Sequence, residues 1–371
     1  MPPRQVLLIA RDWALDGAER QLCYLAAGLD PARFTPLVLL DRHGPVSTHL
    51  ASLGIAVHAT PLRHWRRFPA ALFRYYDALT ATRWARRQDL ALVHASDPWK
   101  APHALFIARR LGLPAVVHVR GPVTARDVAK HHLRAAAAVI TIAERYRAPL
   151  LSAGLDPARV HVIDDAVDLA RFTPDAPSAA AFRARHVPPN CLAIGIVGRL
   201  EPFKRIVEFL EAAALVQAQL PNAATFLLIG QSGPDAYMQQ VRATIARLNL
   251  APHVVFTGRC ADMPVALGSL DLLATFSGGS VMFEAMACAR PVLSVRPDDQ
   301  HSLHTRHNET ALCVTTDQPA PAAAALTRLL QDAPLRTRLG TAARAWVAAN
   351  LSPQTLVAQT QSVYTSALAN L

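Results

Sequence analysis

This 371-residue chain has no CxxC pair, no run of about 18 apolar residues and no glycine-rich nucleotide loop, and each absence removes a class of protein. Its five cysteines, Cys23, Cys191, Cys260, Cys288 and Cys313, lie far apart. An odd, scattered set argues against a disulfide framework and against a structural zinc site. It predicts reduced, mostly buried thiols in a reducing compartment. Without a long apolar run no segment crosses a bilayer as a helix, so a soluble or peripheral protein is expected. The run Val6–Ala10 is also too short for a signal-peptide core and reads as a buried first strand. No Gly-x-Gly-x-x-Gly follows it and no Walker lysine loop occurs anywhere, which argues against a standard dinucleotide site or a P-loop. No Asp-x-Asp stands at a strand end, so neither a catalytic metal nor a cofactor is expected.

What is present is apolar and basic. Hydrophobic residues make up 51% and charged residues 18%, enough to build a full core and too little charge for wholesale disorder. The length predicts two domains. The net charge of +11 is uneven: residues 1–185 hold 25 Lys+Arg against 15 Asp+Glu, and the remainder 13 against 12. A basic first half points to an anionic partner. On charge alone, nucleic acid, a membrane surface and a phosphorylated acceptor all remain open.

Short β-rich runs alternate with amphipathic stretches: Val6–Ile9, Thr35–Leu40, Ala91–His94, Ala115–Val119 and Val139–Ile142, with Glu19–Leu29 and Ala101–Leu111 helical between them. Such alternation predicts a parallel sheet covered on both faces. Proline and small polar residues at Phe172–Pro177 read as an interdomain linker. The alternation resumes with strands at Leu192–Val197, Thr225–Ile229, Val254–Phe256, Leu272–Thr275, Pro291–Ser294 and Ala311–Val314. The tail from Ala320 is helical, with a break at Ser352-Pro353. The expected organisation is α/β: two Rossmann-like doubly wound domains facing a cleft, over 1–175 and 176–350. A helix over 351–371 is expected to pack back toward the first domain. Ligands of such sheets sit outside the carboxyl ends of the strands, so the cleft is the default site.

Several segments carry chemistry. Asp16-Gly17-Ala18-Glu19-Arg20 opens a helix after the first strand, and its glycine lets phosphate approach first-turn N–H groups. An ordinary strand-to-helix turn reads the same way. In Gly198-Arg199-Leu200-Glu201-Pro202-Phe203-Lys204, two cations follow a strand end and can reach one diphosphate, Arg as a fork and Lys as a point charge. The loop Ser277-Gly278-Gly279-Ser280-Val281 exposes successive N–H groups as an anion nest. Glu284, early in the next helix, is placed to accept from a ribose diol or simply to complement the helix dipole.

In their order these segments resemble glycosyltransferase family 4, retaining enzymes of the GT-B fold, over nearly the whole chain. The resemblance is carried by the 16–20 turn, His94-Ala95-Ser96, Val162–Asp168 with Phe172 and Pro174, Gly198-Arg199-Leu200 with Lys204, and Leu228-Ile229-Gly230 with Gly233-Pro234. Phe256-Thr257-Gly258-Arg259, Asp271 and Glu284–Ala287 with Pro291-Val292 complete it. It implies that Gly17, Arg199 and Lys204 hold the diphosphate of a nucleotide-sugar and that Glu284 holds the ribose. The turn Gly258-Arg259-Cys260 would lie beside the base, and Gly198, Gly230 and the 278–281 loop would shape the donor site.

The chain departs from the pattern at four places. Phe276 stands where the family has a Glu that contacts the donor sugar. Arg120 stands at a strand end where the family has His, with His118 two residues earlier and on the same side of the strand. Both are candidate catalytic residues. Asp165-Ala166 replaces Asn-Gly, and Ala289-Arg290 replaces the glycine before Pro291. The resemblance therefore implies a metal-independent transfer with altered sugar recognition, to a glycan or lipid-linked acceptor in bacterial cell-surface polysaccharide or lipopolysaccharide synthesis. A sugar-nucleotide epimerase or phosphorylase of the same fold, or a non-catalytic nucleotide-sugar-binding relative, are the alternatives.

The basic half mixes cations with aromatics between residues 63 and 87: Arg63, Trp65, Arg66, Arg67, Phe68, Arg74, Arg83, Arg86 and Arg87. That composition suits a lipid headgroup region. It also suits single-stranded nucleic acid or a solvated face. Beside the resemblance, the membrane reading is preferred over nucleic acid, with Trp65 and Phe68 as the inserting side chains. The expected location is the cytoplasm, on the inner face of the cytoplasmic membrane.

Overall fold

A computed structural model describes residues 2–369 except Ala14, Asp16 and Gln300. Asp16, the first residue of the predicted phosphate turn, lies outside the described residues. The chain divides into two compact units, Met1–Ala166 with Pro353–Leu371, and Val167–Ser352.

Unit 1 is a seven-stranded parallel sheet. Its strands are β1 (Arg4–Ala10), β2 (Phe34–Leu40), β3 (Ala56–Ala59), β4 (Leu90–Ala95), β5 (Ala115–Val119), β6 (Ala138–Thr141) and β7 (Val160–Val162), in the order β3-β2-β1-β4-β5-β6-β7. Parallel strands are buried on both faces, and the sequence supplies side chains for both. Val6, Leu8, Val38, Leu40 and Leu92 pack on one side. Leu7, Ile9, Leu37, Leu39 and Val93 pack on the other.

The carboxyl-terminal helix Pro353–Ala369 belongs to this unit. Its Tyr364 is fully buried, lies edge-on to Phe34 at 5.6 Å, and its hydroxyl is 2.6 Å from His94 Nδ1. Burying a side chain of this size contributes about 1.5–3 kcal/mol, which anchors the tail.

Unit 2 is a six-stranded parallel sheet. Its strands are β8 (Leu192–Val197), β9 (Ala224–Ile229), β10 (Val254–Gly258), β11 (Leu272–Thr275), β12 (Val292–Val295) and β13 (Leu312–Val314), in the order β10-β9-β8-β11-β12-β13. Both sheets have the doubly wound order, which reverses beside β1 in unit 1 and beside β8 in unit 2. Side chains there can reach a ligand between two diverging loops.

The division falls at Ala166/Val167 rather than 175/176. Phe172, read from the sequence as linker, is buried in the unit 2 core, and Arg344 Nη1 donates to its carbonyl at 2.9 Å. The end of unit 1 is held by Gln21, whose side chain donates to Ala166 O and accepts from Ala166 N, both at 2.8 Å. All five cysteines are free thiols; Cys23 and Cys288 are buried and the other three half-buried. Burial pushes the thiols of Cys23 and Cys288 up to about 11 and about 12, which keeps both protonated.

Candidate functional site

In unit 2 three strand ends carry glycines at positive φ: Gly198 after β8 (129°), Gly230 after β9 (151°) and Gly258 closing β10 (73°). A hydrogen-bond relay joins them along the edge. Gly198 N–H donates to Ile229 O, and Gly230 N–H to Gly258 O, both at 2.9 Å. A Cβ on Gly230 would lie 1.9 Å from Gly198 O, and one on Gly233 would lie 1.9 Å from Leu200 O. Both glycines are thus required by close approach of two backbones, which fixes the loop bearing Arg199 and Lys204.

Lys204 folds back over this edge. A Cβ on Gly198 would meet its Cε at 2.7 Å and its Nζ at 2.9 Å, so the glycine clears the space that the ammonium occupies. Among the described residues Lys204 has no carboxylate within ion-pairing distance. Burial, and then the nearby Arg199, hold its ammonium below the ordinary lysine range. Arg199 is itself mostly exposed and pairs with Glu201 at 2.9 Å. The two predicted cations are therefore brought together, one half-buried with no carboxylate in ion-pairing distance among the described residues, the other exposed and paired with Glu201.

The loop after β11 is tighter than a free anion nest. Thr275, which the sequence did not single out, accepts from Gly278 N at 3.0 Å through its hydroxyl, and Arg296 Nη1 donates to Ser277 O at 2.6 Å. Arg296 is a cation just past the end of β12, a strand-end signal of the kind used for Arg199. Two predicted nest donors, the N–H groups of Ser277 (3.4 Å to the same hydroxyl) and Gly278, are thus already engaged. The N–H groups of Gly279 and Ser280 have no acceptor among the described residues. Gly278 and Gly279 have φ of 72° and 109°, conformations that favour glycine. Val281 and Glu284 lie on the helix Val281–Ala287 that follows. Arg259 is exposed, and Cys260 is half-buried with its thiol donating to Asp262 O at 3.1 Å.

Phe276 is buried in the unit 2 core, edge-on to Phe209 at 5.9 Å. It packs inward and offers the site no polar atom.

In unit 1 the reversal beside β1 is filled with paired charge. Lys100 Nζ donates to Asp41 Oδ2 at 2.9 Å and to Leu62 O at 2.8 Å, and Arg11 Nε donates to Asp97 Oδ2 at 3.1 Å. Asp12 caps the helix Pro45–Ser52 through Val46 N and Ser47 N, both at 2.8 Å. Gly17 opens the helix Gly17–Gly28, and a Cβ there would meet nothing within 4 Å.

His118 and Arg120 do lie on one side of β5, with Arg120 Nη2 3.3 Å from His118 Nδ1. His118 is buried and stacked on His94 at 5.9 Å. Burial, then Arg120, keep its imidazole well below the ordinary range, so it is neutral. Arg120 forms an ion pair with Asp165 and also donates to Ser96 O at 3.3 Å. His118 thus lies buried against Arg120, and its Nε2 has no hydrogen-bond partner among the described residues.

The basic region has two faces. Trp65, predicted to insert into lipid, instead packs against Tyr75, His103 and Phe106 at 5.7, 4.9 and 6.2 Å. Phe68 is 79% exposed, and Leu72 and Tyr76 nearby are 70% and 67% exposed. Arg63 pairs with the buried Asp77 at 3.0 Å, whereas Arg66, Arg67, Arg83, Arg86 and Arg87 are exposed.

Two doubly wound units of this kind define the GT-B class of glycosyltransferase. Residues 15–171 match the family model described as Glycosyltransferase Family 4, and residues 192–332 the one described as Glycosyl transferases group 1. The chain belongs to the family-4-like glycosyltransferases.

Among curated relatives, a D-inositol 3-phosphate glycosyltransferase of Kineococcus radiotolerans is 31% identical over 301 residues, covering 72% of this chain and 66% of that protein. The protein of the same name from Jonesia denitrificans is 33% identical over 204 residues, covering 51% and 47%. The chain thus spans between about half and two thirds of the length of these relatives. Anabaena Alr3699/HepE, solved in complex with UDP-glucose, is similar in fold with a TM-score of 0.80 at 21% identity, covering 99% of this chain and all of that one. A glycosyltransferase of Rickettsia africae reaches 0.82 at 16% identity, covering both chains fully.

Proposed function

We propose that the chain transfers a sugar from a nucleotide-diphosphate sugar to a glycan or lipid-linked acceptor, with retention and without a resident metal. Unit 2 takes the donor and unit 1 the acceptor. One observation carries the donor assignment: Lys204 is a half-buried ammonium beside the glycine edge with no carboxylate partner among the described residues and a second cation close by. Desolvating a charge is costly unless an anion completes it, and a diphosphate at Gly198 completes both Lys204 and Arg199. As the glycosidic bond breaks, the departing diphosphate gains charge, and fixed cations stabilise that change without reorganising. In this reading the N–H groups of Gly279 and Ser280 take a further phosphate or sugar oxygen. Glu284 accepts from the ribose, and the Gly258–Cys260 turn borders the base. Arg120, steadied by Asp165 and His118, presents its guanidinium to the acceptor side of the reaction.

A uridine nucleotide is the first donor to test, because a fold relative was solved with UDP-glucose. A phosphate-bearing acceptor is supported by the name of the curated relatives and by the basic charge of residues 1–185. We place the protein on the inner face of the cytoplasmic membrane, in cell-surface polysaccharide synthesis. The exposed Phe68, Leu72 and Tyr76 beside exposed arginines support membrane contact. No described helix is long and apolar enough to cross a membrane.

The burial of Phe276 favours a second reading, a relative that binds nucleotide-sugar without transferring it. A thermal-shift screen of nucleotides and nucleotide-sugars, followed by turnover with and without lipid acceptor, separates the two. Selective donor binding with release of nucleotide diphosphate supports transfer. Binding without turnover supports the second reading, and no binding defeats both.

A further inference from the structure

Unit 1 carries a second charged feature, apart from the paired network at the end of β1. A pocket of about 300 Å³ is walled by Trp65, Arg66, Arg67, Trp99, Lys130 and His131. Among the described residues no carboxylate lies within ion-pairing distance of the three cations there, although Asp127, on the same helix as Lys130, acts on it at longer range. Arg66 reaches His132 Nε2 at 3.2 Å, Lys130 Nζ sits 4.7 Å from the Trp99 ring centre, and Arg67 has no ion pair. Cations just outside the pocket behave differently: Arg63 pairs with Asp77 and Lys100 with Asp41. Three like charges around one concavity repel each other and raise its potential, so the concavity is complementary to a compact anion. Phosphate has the oxygens to accept from two guanidinium groups and an ammonium together. Trp99 and His131, edge to face at 5.1 Å, give the pocket a rigid back wall.

The pocket adjoins a larger cavity. Trp65 and Pro102 line both, and beyond them a space of about 870 Å³ is bordered near Trp65 by Tyr75, Leu105 and Phe106. The exposed Phe68 and Leu72 belong to the same segment. The far wall of the larger space carries Arg109, Asp156 and Arg159, but its near wall is apolar, and an anion site that shares Trp65 with that near wall fits a ligand with both characters. We propose that the two cavities hold one amphiphilic phosphate ester. Its phosphate lies against Arg66, Arg67 and Lys130, and its apolar chain passes Trp65 toward Leu105 and Phe106. This deepens the acceptor reading above and rests on it for its biological meaning.

Binding to the full chain, followed by calorimetry, tests the proposal with geranyl phosphate, geraniol and inorganic phosphate as probes. Geranyl phosphate should bind about tenfold or more tighter than either of the others, because only it uses both cavities. Replacing Arg66, Arg67 and Lys130 together with Gln should weaken geranyl phosphate by about tenfold or more while leaving the melting temperature and UDP affinity unchanged. Phe106→Ala should weaken geranyl phosphate and spare inorganic phosphate. Inorganic phosphate binding as tightly as geranyl phosphate would assign the pocket to a soluble phosphate and overturn the amphiphile. Undiminished binding by the triple variant, or geraniol matching its phosphate, would also overturn the proposal. None of these measurements needs a nucleotide-sugar, so failure of the donor assignment would show separately, as lost UDP binding.

Discussion

Replacing Lys204 with Met keeps most of the side-chain volume over Gly198 and removes only the charge. If the ammonium completes a diphosphate site, the loss falls on the state in which the diphosphate carries most charge. Removing one fixed donor to a developing anion costs about 2–4 kcal/mol, which is between about thirtyfold and about a thousandfold in kcat/KM. Folding should respond in the opposite sense. Burial lowers the folded-state pKa of Lys204 below its unfolded value. Below the folded pKa the desolvation cost is present in full, and stability recovers as pH rises from that pKa toward the ordinary lysine value. At neutral pH the Met variant should therefore melt at the same temperature or higher. The same depression makes donor affinity fall as pH rises through the folded pKa of Lys204, and this limb should flatten in the variant. The assay is nucleotide-diphosphate release over a pH series, with chemical denaturation of both proteins alongside. Turnover within about threefold of the parent would refute the clamp. Lost stability at unchanged turnover would show instead that Lys204 packs the glycine edge.

Glu284→Gln should weaken nucleotide affinity about three- to tenfold by losing a charged acceptor, and nucleotides with 2′- and 3′-deoxyribose should bind the parent and the variant alike; calorimetry reads both. Gly230→Ala places a Cβ 1.9 Å from Gly198 O at a φ of 151°, and should cost about 2–3 kcal/mol in urea unfolding together with donor affinity. Arg83, Arg86 and Arg87 replaced together with Gln should reduce co-sedimentation with anionic vesicles by about a hundredfold at low salt, at about 1 kcal/mol per residue. Phe68→Ser should weaken it at low and moderate salt alike, and indifference of the parent to anionic vesicles would remove the membrane contact.

The central strands were legible because a parallel strand buried on both faces reads as an unbroken apolar run. Leu192–Val197 and Ala115–Val119 coincide with β8 and β5. The edge strand β3 gives no such run, since its face is half open to solvent (Ala56–Ala59 carries His58). The unit boundary was misplaced because Phe172-Thr173-Pro174 has the composition of a linker while Phe172 packs as core. Sequence position brought Arg199 and Lys204 together, five residues apart at one strand end. It was silent on the relay from Gly198 through Ile229 to Gly258, which joins residues some thirty positions apart. Thr275 as the acceptor for Gly278 N–H was equally hidden, because a hydroxyl's partner depends on how the following loop folds back. Trp65 shows the same limit: aromatics beside arginines read as membrane-seeking until the fold supplies Tyr75 and Phe106 as neighbours.

The departures from the family pattern bear on whether the site has decayed or been rebuilt. Loss by drift would leave each change unmatched, a charge without a partner or a cavity where a side chain was lost. The structure shows matched changes. Arg120 and Asp165, which depart at two distant positions, form one ion pair, and burial that would otherwise favour the neutral acid of Asp165 is opposed by the guanidinium. Ala289 adopts the left-handed φ of 54° that a glycine would take freely. Arg290 beside it donates to both Pro174 O and Gly268 O at 2.7 Å, tying together the segments around that turn. Left-handed backbone at Ala costs about 1–2 kcal/mol, comparable to what two such hydrogen bonds contribute. Phe276 gives up a carboxylate but fills the core beside Phe209. Meanwhile Lys204 keeps a desolvated charge that folding alone does not reward. Its ammonium lies 5.4 Å from the Phe203 ring centre and no carboxylate among the described residues comes within ion-pairing distance, so a bound anion would complete it. Beside so many internally compensated changes, this ammonium fits the proposed reading, in which the diphosphate end of the donor site is kept and the sugar and acceptor end altered.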